Sequence, residues 1–157
     1  MKIYLWSIGK AHEEYVKQGI QLFTNRISNY FNVEWKIIPL PKNSGSLSAE
    51  DLKEAEGSTI LNLLQKDYFL ILLDENGKTY SSESFSKLLQ TTADTGVKHL
   101  VFLIGGAYGV SEPVRKRANV IWSLSLLVFP HQLVRLIVAE QVYRACTILR
   151  NEKYHHP

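Results

Sequence analysis

Glycine, serine and histidine supply the reactive and ligand-facing groups of one segment, Lys98 to Arg135, which reads KHLVFLIGGAYGVSEPVRKRANVIWSLSLLVFPHQLVR. Gly105-Gly106-Ala107-Tyr108-Gly109 lets backbone approach a ligand closely and offers amide donors. It is not the dinucleotide fingerprint, which needs glycines at the first, third and sixth positions. A tight strand-to-helix turn is the competing reading. A second stretch, Ser123 to His131, combines apolar walls with backbone groups. Such a pocket suits a flat purine held by main-chain hydrogen bonds. No acidic pair and no Ser-His-Asp order lies nearby. His12, His99 and His131 lack zinc-like spacing, and the adjacent His155-His156 pair has poor geometry for one ion, so no metal site is expected. Gly77-Lys78-Thr79 imitates the end of a phosphate-binding loop, but the glycine required five residues earlier is Leu72.

These groups need strands that end in one place. Leu100 to Ile104 is a continuous apolar run of strand length. Ile121 to Phe129 is a second, interrupted by Ser123 and Ser125 and closed by Pro130. In open α/β sheets, ligands bind beyond the carboxyl ends of the strands, and that places the site. Ser111 caps a helix with Pro113 in its first turn, and His131 opens a long apolar helix to about Leu149.

Upstream, Ile3–Ile8 reads as a strand, and Val16, Ile20, Phe23, Ile27 and Tyr30 form one face of a helix from about His12 to Asn29. Gly19 weakens that helix unless a neighbour packs closely there. Val33–Leu40 is a second strand. Ser48 and Asp51 resemble a capping box for a helix from Ala49 to Gln65. Its Glu50, Asp51, Glu54 and Glu56 read as a solvated acidic face, turned away from any bound RNA. Tyr68–Leu73 is a central parallel strand, Asp74 to Gly77 turns the chain, and a helix capped by Ser81 or Ser82 follows. The alternation predicts an α/β fold with a parallel sheet, as one domain over residues 1–157.

Composition narrows the class. Hydrophobic residues make up 45% of the chain, enough for a core. Cys146 is the single cysteine, which excludes an internal disulfide and fits a reducing, cytoplasmic setting. It reads as buried packing rather than a nucleophile. No run suits a signal peptide or a membrane span. The formal charge of +3 permits a nucleic-acid partner without demanding one. Arg115, Lys116, Arg117, Arg135, Arg144, Arg150 and Lys153 are the cations near the proposed site, in sequence or through folding. The last helix is apolar around much of its circumference, which predicts a second cover and hence a homodimer.

The pattern strand-IGGxxG, a short basic helix, WSLSxLxxPHxLxRxxxxEQxYRA and a tail in Tyr-His resembles the ribosomal large-subunit RNA methyltransferase H family. These are small, knotted methyltransferases of the SPOUT class. The likeness spans essentially the whole chain, including Gly9-Lys10 and the LDExGK element at Leu73 to Lys78. It implies a parallel α/β/α fold with a C-terminal trefoil knot, a dimer, and S-adenosyl-L-methionine as methyl donor. It also implies the reaction, methylation of N3 of a pseudouridine in helix 69 of 23S rRNA within the ribosome. Carried over position by position, the cofactor residues are Leu73, Gly106, Ser125, Leu126, Leu127, Val128, Phe129 and Pro130, with Gly105 in the same motif. The catalytic neighbourhood is His131 with the tail residues Tyr154 and His155. His131 is the general base, or orients the target base, or merely starts a helix. Arg135 stabilises charge on the uracil oxygens, pairs with Glu140, or contacts phosphate. The family ends in Tyr-His followed by Arg or Lys, whereas this chain has His156 and Pro157. Two rivals remain: a SPOUT methyltransferase acting on tRNA, and a non-catalytic dimer that binds RNA or a nucleotide.

Overall fold

In the computed structural model, which describes residues 1–156, strands and helices alternate along the chain. The order is β1 (Lys2–Ile8), α1 (Glu14–Ile27), β2 (Asn32–Ile38), α2 (Ala49–Leu63), β3 (Tyr68–Thr79), α3 (Ser82–Asp94), β4 (His99–Ile104), α4 (Glu112–Arg117), β5 (Val120–Ser123) and α5 (His131–Leu149). The five strands form one parallel sheet in the order β2-β1-β4-β3-β5. The α/β class with a parallel sheet is therefore as the alternation predicts.

Side chains of period two explain the unbroken apolar runs, because both faces of the sheet are covered. Ile3 and Leu5, Ile71, and Leu100, Phe102 and Ile104 pack on one face against Ile27, Phe85, Leu89, Val138 and Val142 of α1, α3 and α5. Trp6, Ile8, Leu70, Leu72, Val101 and Leu103 pack on the other against Ile60 of α2 and Val114 of α4. The Ser48 hydroxyl accepts the Asp51 amide at 3.1 Å, so α2 has its expected cap. Gly19 also has its close neighbour: a Cβ there would stand 2.7 Å from Leu136 Cδ1. The absent side chain lets α1 seat against α5.

Two strand boundaries differ from expectation, and both differences shape the site. β5 stops at Ser123, so Leu124 to Pro130 is a loop, although it continues an apolar run. β3 runs on past Leu73 to Thr79, because Leu73 and Lys78 both pair with Trp122. Residues 74–77 bulge out of the ladder between them and do not reverse the chain. Gly77 allows this, since a Cβ there would lie 2.7–2.8 Å from the Ile121–Trp122 backbone.

The last helix is covered on one side within the chain. Its buried stripe of Val138, Ala139, Val142, Ala145 and Cys146 faces the sheet, and α1 and α3 flank it. None of its large apolar side chains is among the exposed ones. Leu133, Leu136, Ile137 and Ile148 are half-buried, so α5 keeps apolar surface that the chain covers only in part. Burial also pushes the Cys146 thiol up to about 12, in keeping with a packing role.

Candidate functional site

The carboxyl ends of β3, β4 and β5 open into a cavity of about 710 Å³, within the range that holds a small ligand. Leu73 comes from β3 just before its bulge and Ile104 from the end of β4, Gly105, Gly106 and Tyr108 from the loop after β4, and Ser125, Leu127, Val128 and Phe129 from the loop after β5. His131 closes the ring from the start of α5. Ser125 shapes its own loop by accepting the Leu127 amide at 3.0 Å, while its carbonyl accepts the Ser123 hydroxyl at 3.0 Å. Backbone groups, apolar walls and three glycines suit a flat nucleoside, and Glu50, Lys53, Asp74, Glu75, Glu112 and Arg115 add a charged wall.

Of the expected cofactor residues, Leu126 and Pro130 do not line this cavity. Leu126 is 94% exposed, with Leu127 and Val128 at 71% and 83%. Pro130 instead precedes the first turn of α5.

His131 stands at the cavity with its basicity lowered. Partial burial is the main cause, the Arg135 charge adds to it, and the neighbouring Gly105 backbone opposes both. The imidazole is therefore neutral at pH 7, the form that accepts a proton. Arg135 is not placed to meet a uracil in this cavity or an RNA phosphate. It is 2% exposed and absent from the cavity wall. Its Nε donates to Ser7 Oγ at 2.8 Å, and its Nη1 donates to the Lys10 carbonyl at 2.9 Å. Nη2 reaches the Ile8 carbonyl at 3.4 Å, and Nη1 lies 3.4 Å from His12 Nδ1. It does not pair with Glu140, which Arg144 holds instead. Arg135 thus ties the start of α5 to the end of β1 and acts on the site through position and field.

Glu56 departs furthest from its expected place. It is 4% exposed and pressed against the glycine loop, where a Cβ on Gly106 would meet Glu56 Oε2 at 2.3 Å. Its Oε1 is buried with no hydrogen-bond partner. Burial raises its pKa above the ordinary 4.5. A raised carboxyl pKa means the folded state holds the proton more tightly than the unfolded one. Its stabilising effect is full below pH 4.5 and is lost as pH climbs through the raised value. Glu56→Gln is therefore expected to raise the thermal midpoint at pH 7–8 and to flatten its fall above pH 4.5. Parallel melting curves for the two proteins across that span would refute it.

The tail lies elsewhere on the chain. The Tyr154 hydroxyl donates to Glu140 Oε1 at 3.0 Å, and Arg144 holds the same oxygen through Nε and Nη2 at 3.0 and 2.6 Å. His155 Nε2 lies 2.9 Å from Glu83 Oε1. Tyr154 and His155 therefore sit against α5 and α3, outside the cavity wall of their own chain. His156, which follows Tyr-His where the family carries Arg or Lys, is exposed, and Pro157 lies outside the described residues.

Several expected RNA-facing cations are also engaged internally. Arg115 pairs with Asp74, Arg117 donates to the Gln65 and Tyr68 carbonyls, and Arg135 is buried. Arg150 and Lys153 are exposed. Among the described residues, no group of three or more His, Cys, Asp or Glu side chains could hold a metal, and no helix is long and apolar enough to cross a membrane.

Sequence reasoning missed Asp74, Arg115 and Trp122 as cavity walls. An acid directly after a buried strand, and a basic cluster after a glycine loop, were signals for the first two.

A cavity at the strand ends, beneath two loops, is where open parallel sheets bind their ligands. A probable methyltransferase from Bordetella pertussis shares the fold, with a TM-score of 0.57 at 12% identity over 92% of this chain and 95% of that one. The sequence model described as predicted SPOUT methyltransferase matches residues 1–155. Proteins named ribosomal RNA large subunit methyltransferase H are similar over nearly the full length. The one from Flavobacterium johnsoniae is 51% identical and that from Christiangramia forsetii 47%, each over 99% of both chains. The one from Geotalea daltonii is 41% identical over 97% of both chains. This chain belongs to the ribosomal RNA large subunit methyltransferase H family of SPOUT methyltransferases.

Proposed function

We propose that the protein transfers a methyl group from S-adenosyl-L-methionine to N3 of a pseudouridine in helix 69 of 23S rRNA, in the cytoplasm. The observation that carries this is the juxtaposition of His131 with a ligand-sized cavity whose glycine loop and β5 loop offer main-chain groups and apolar walls. The bound cofactor supplies an electrophilic methyl carbon on a sulfonium. The chain's own residues do the rest. Leu73, Gly105, Gly106 and the Ser125–Phe129 loop fix the nucleoside, so that the acceptor nitrogen and methyl can be aligned. Neutral His131 accepts the N3 proton; burial, with the Arg135 charge adding to it, favours the neutral form, and Arg135 anchors the start of α5 that carries it.

RNA contact falls to the exposed Arg150 and Lys153, to Lys116, and to the tail. Two chains would give a formal charge of +6 from +3 each, small for gripping naked RNA. The assembled ribosome is thus the favoured substrate, because its shape adds contacts. The homodimer implied by the resemblance has its support in Leu126, Leu127 and Val128, apolar side chains exposed beside the cavity. The knot implied by the same resemblance would thread the chain through the loops after β4 and β5.

The test is mass spectrometry of 23S rRNA from cells with and without this gene. Loss of an N3-methylated pseudouridine in helix 69 supports the reading, and an unchanged rRNA with altered tRNA favours the tRNA alternative. Removing residues 153–157 should leave cofactor affinity within about twofold and remove most methyl transfer to ribosomes, since base contact by stacking and phosphate contact is lost. Full-rate methylation by the truncated protein would make the tail an ordinary chain end.

A further inference from the structure

The cavity has a charged wall that the adenosine reading does not use. Asp74 leads the bulge in β3, and its Oδ1 accepts the Asn76 amide at 2.9 Å. Its Oδ2 takes a hydrogen bond from Arg115 Nη2 at 2.5 Å. Arg115 rises from the last turn of α4, the helix that follows the glycine loop. Both side chains line the cavity, at 11% and 32% side-chain exposure. The pair is thus a carboxylate and a guanidinium fork held side by side on the polar wall of the cavity, where Glu50, Lys53, Glu75 and Glu112 also stand, and among these it is the one joined by a direct hydrogen bond across two elements.

We propose that Asp74 and Arg115 are the subsite for the amino-acid end of the sulfonium cofactor, a reading that rests on the cavity being that cofactor's site. The ligand has two chemically distinct ends. The adenosine is flat, uncharged and suited to the loop after β5. The other end is a zwitterion, an α-ammonium beside an α-carboxylate. A carboxylate–guanidinium pair carries the complementary charges at the same kind of spacing. Asp74 has acceptor capacity beyond its two present bonds, so it takes the ammonium. Arg115 turns its fork onto the α-carboxylate, where a two-pronged contact is available. One protein–protein ion pair is exchanged for two protein–ligand pairs. The strand bulge explains the geometry: without residues 74–77 leaving the ladder, Asp74 would be an ordinary strand residue.

The test separates the two ends of the ligand. Calorimetry is run with S-adenosylhomocysteine and with 5′-methylthioadenosine, the same nucleoside thioether lacking the amino-acid end. The proteins are the unmodified chain, Asp74→Asn, Arg115→Met and Arg115→Lys, each checked for folding by thermal melting. Asp74→Asn and Arg115→Met should each weaken S-adenosylhomocysteine about 10- to 100-fold, the scale of a hydrogen bond between charged groups. They should change 5′-methylthioadenosine by less than about threefold, and Arg115→Lys should fall between. Equal weakening of both ligands, or no weakening of either, overturns the subsite and leaves the cofactor reading standing. Failure of the unmodified protein to bind either nucleoside overturns the cofactor reading and the subsite with it. If Asp74→Asn proves unstable, the two Arg115 variants decide alone.

Discussion

Replacing His131 with alanine should slow methyl transfer by about 10²–10⁴-fold, the usual contribution of a positioned general base. Cofactor affinity should change little, because the adenosine is held by backbone and apolar groups of other loops. The N3 of a uracil ring carries a proton that must leave as the nitrogen attacks. An imidazole takes it only when neutral. Partial burial and the charge of Arg135 hold His131 below its ordinary 6.5, so neutrality extends somewhat to the acid side of that value. The rate of the unmodified enzyme should stay level from pH 8 down to about 6.5 and fall only below it. The alanine variant should lose that acid limb. Single-turnover rates on ribosomes from a strain lacking the enzyme measure both effects. A variant within about threefold of the parent rate would remove His131 from the chemistry and leave it as the opening residue of α5.

Gly106→Val should abolish detectable cofactor binding, a loss of at least about 100-fold. The reason is steric and starts behind the loop. The first added carbon would come within 2.3 Å of one Glu56 oxygen and 2.8 Å of the other. Glu56 is itself buried, so it has little room to withdraw. The loop must move instead, and it forms the cavity wall. Calorimetry on the folded variant gives the answer, with unchanged affinity as the contrary result. A rescue sharpens it. Gly106→Ala should weaken binding, and adding Glu56→Ala should restore part of it by removing the obstructing carboxylate. If the obstruction lay on the ligand side, the second change would restore nothing.

Where the sequence misled, it did so through charge and continuity. Leu100–Ile104 could be read as a buried strand because both of its faces are covered, and Ser48 could be read as a cap because capping is local. Glu56 looked solvated by type, yet it stands four residues from Leu52 and four from Ile60, on the buried stripe of α2. Arg135 has the same relation to Ala139. Helical period outweighed residue type at both positions. The apolar run after Trp122 suggested a longer β5, but its Leu126, Leu127 and Val128 face outward around a ligand-sized opening. Composition does not distinguish such a loop from a strand. The bulge at Asp74 depends on register against β5, a long-range pairing that local sequence does not encode. The placement of the tail depends on Glu140 and Glu83, residues far from it in sequence.

Cys146 has a practical consequence. It is the only thiol in the chain, it sits in the α5 stripe against the sheet, and it titrates near 12. A thiol reagent added at neutral pH meets almost no thiolate and no accessible sulfur. Labelling then waits for α5 to leave the core, so its rate counts opening events of the element that joins β5 to the tail. The molecule carries its own clock for that motion, with no engineered probe and no competing signal from a second cysteine.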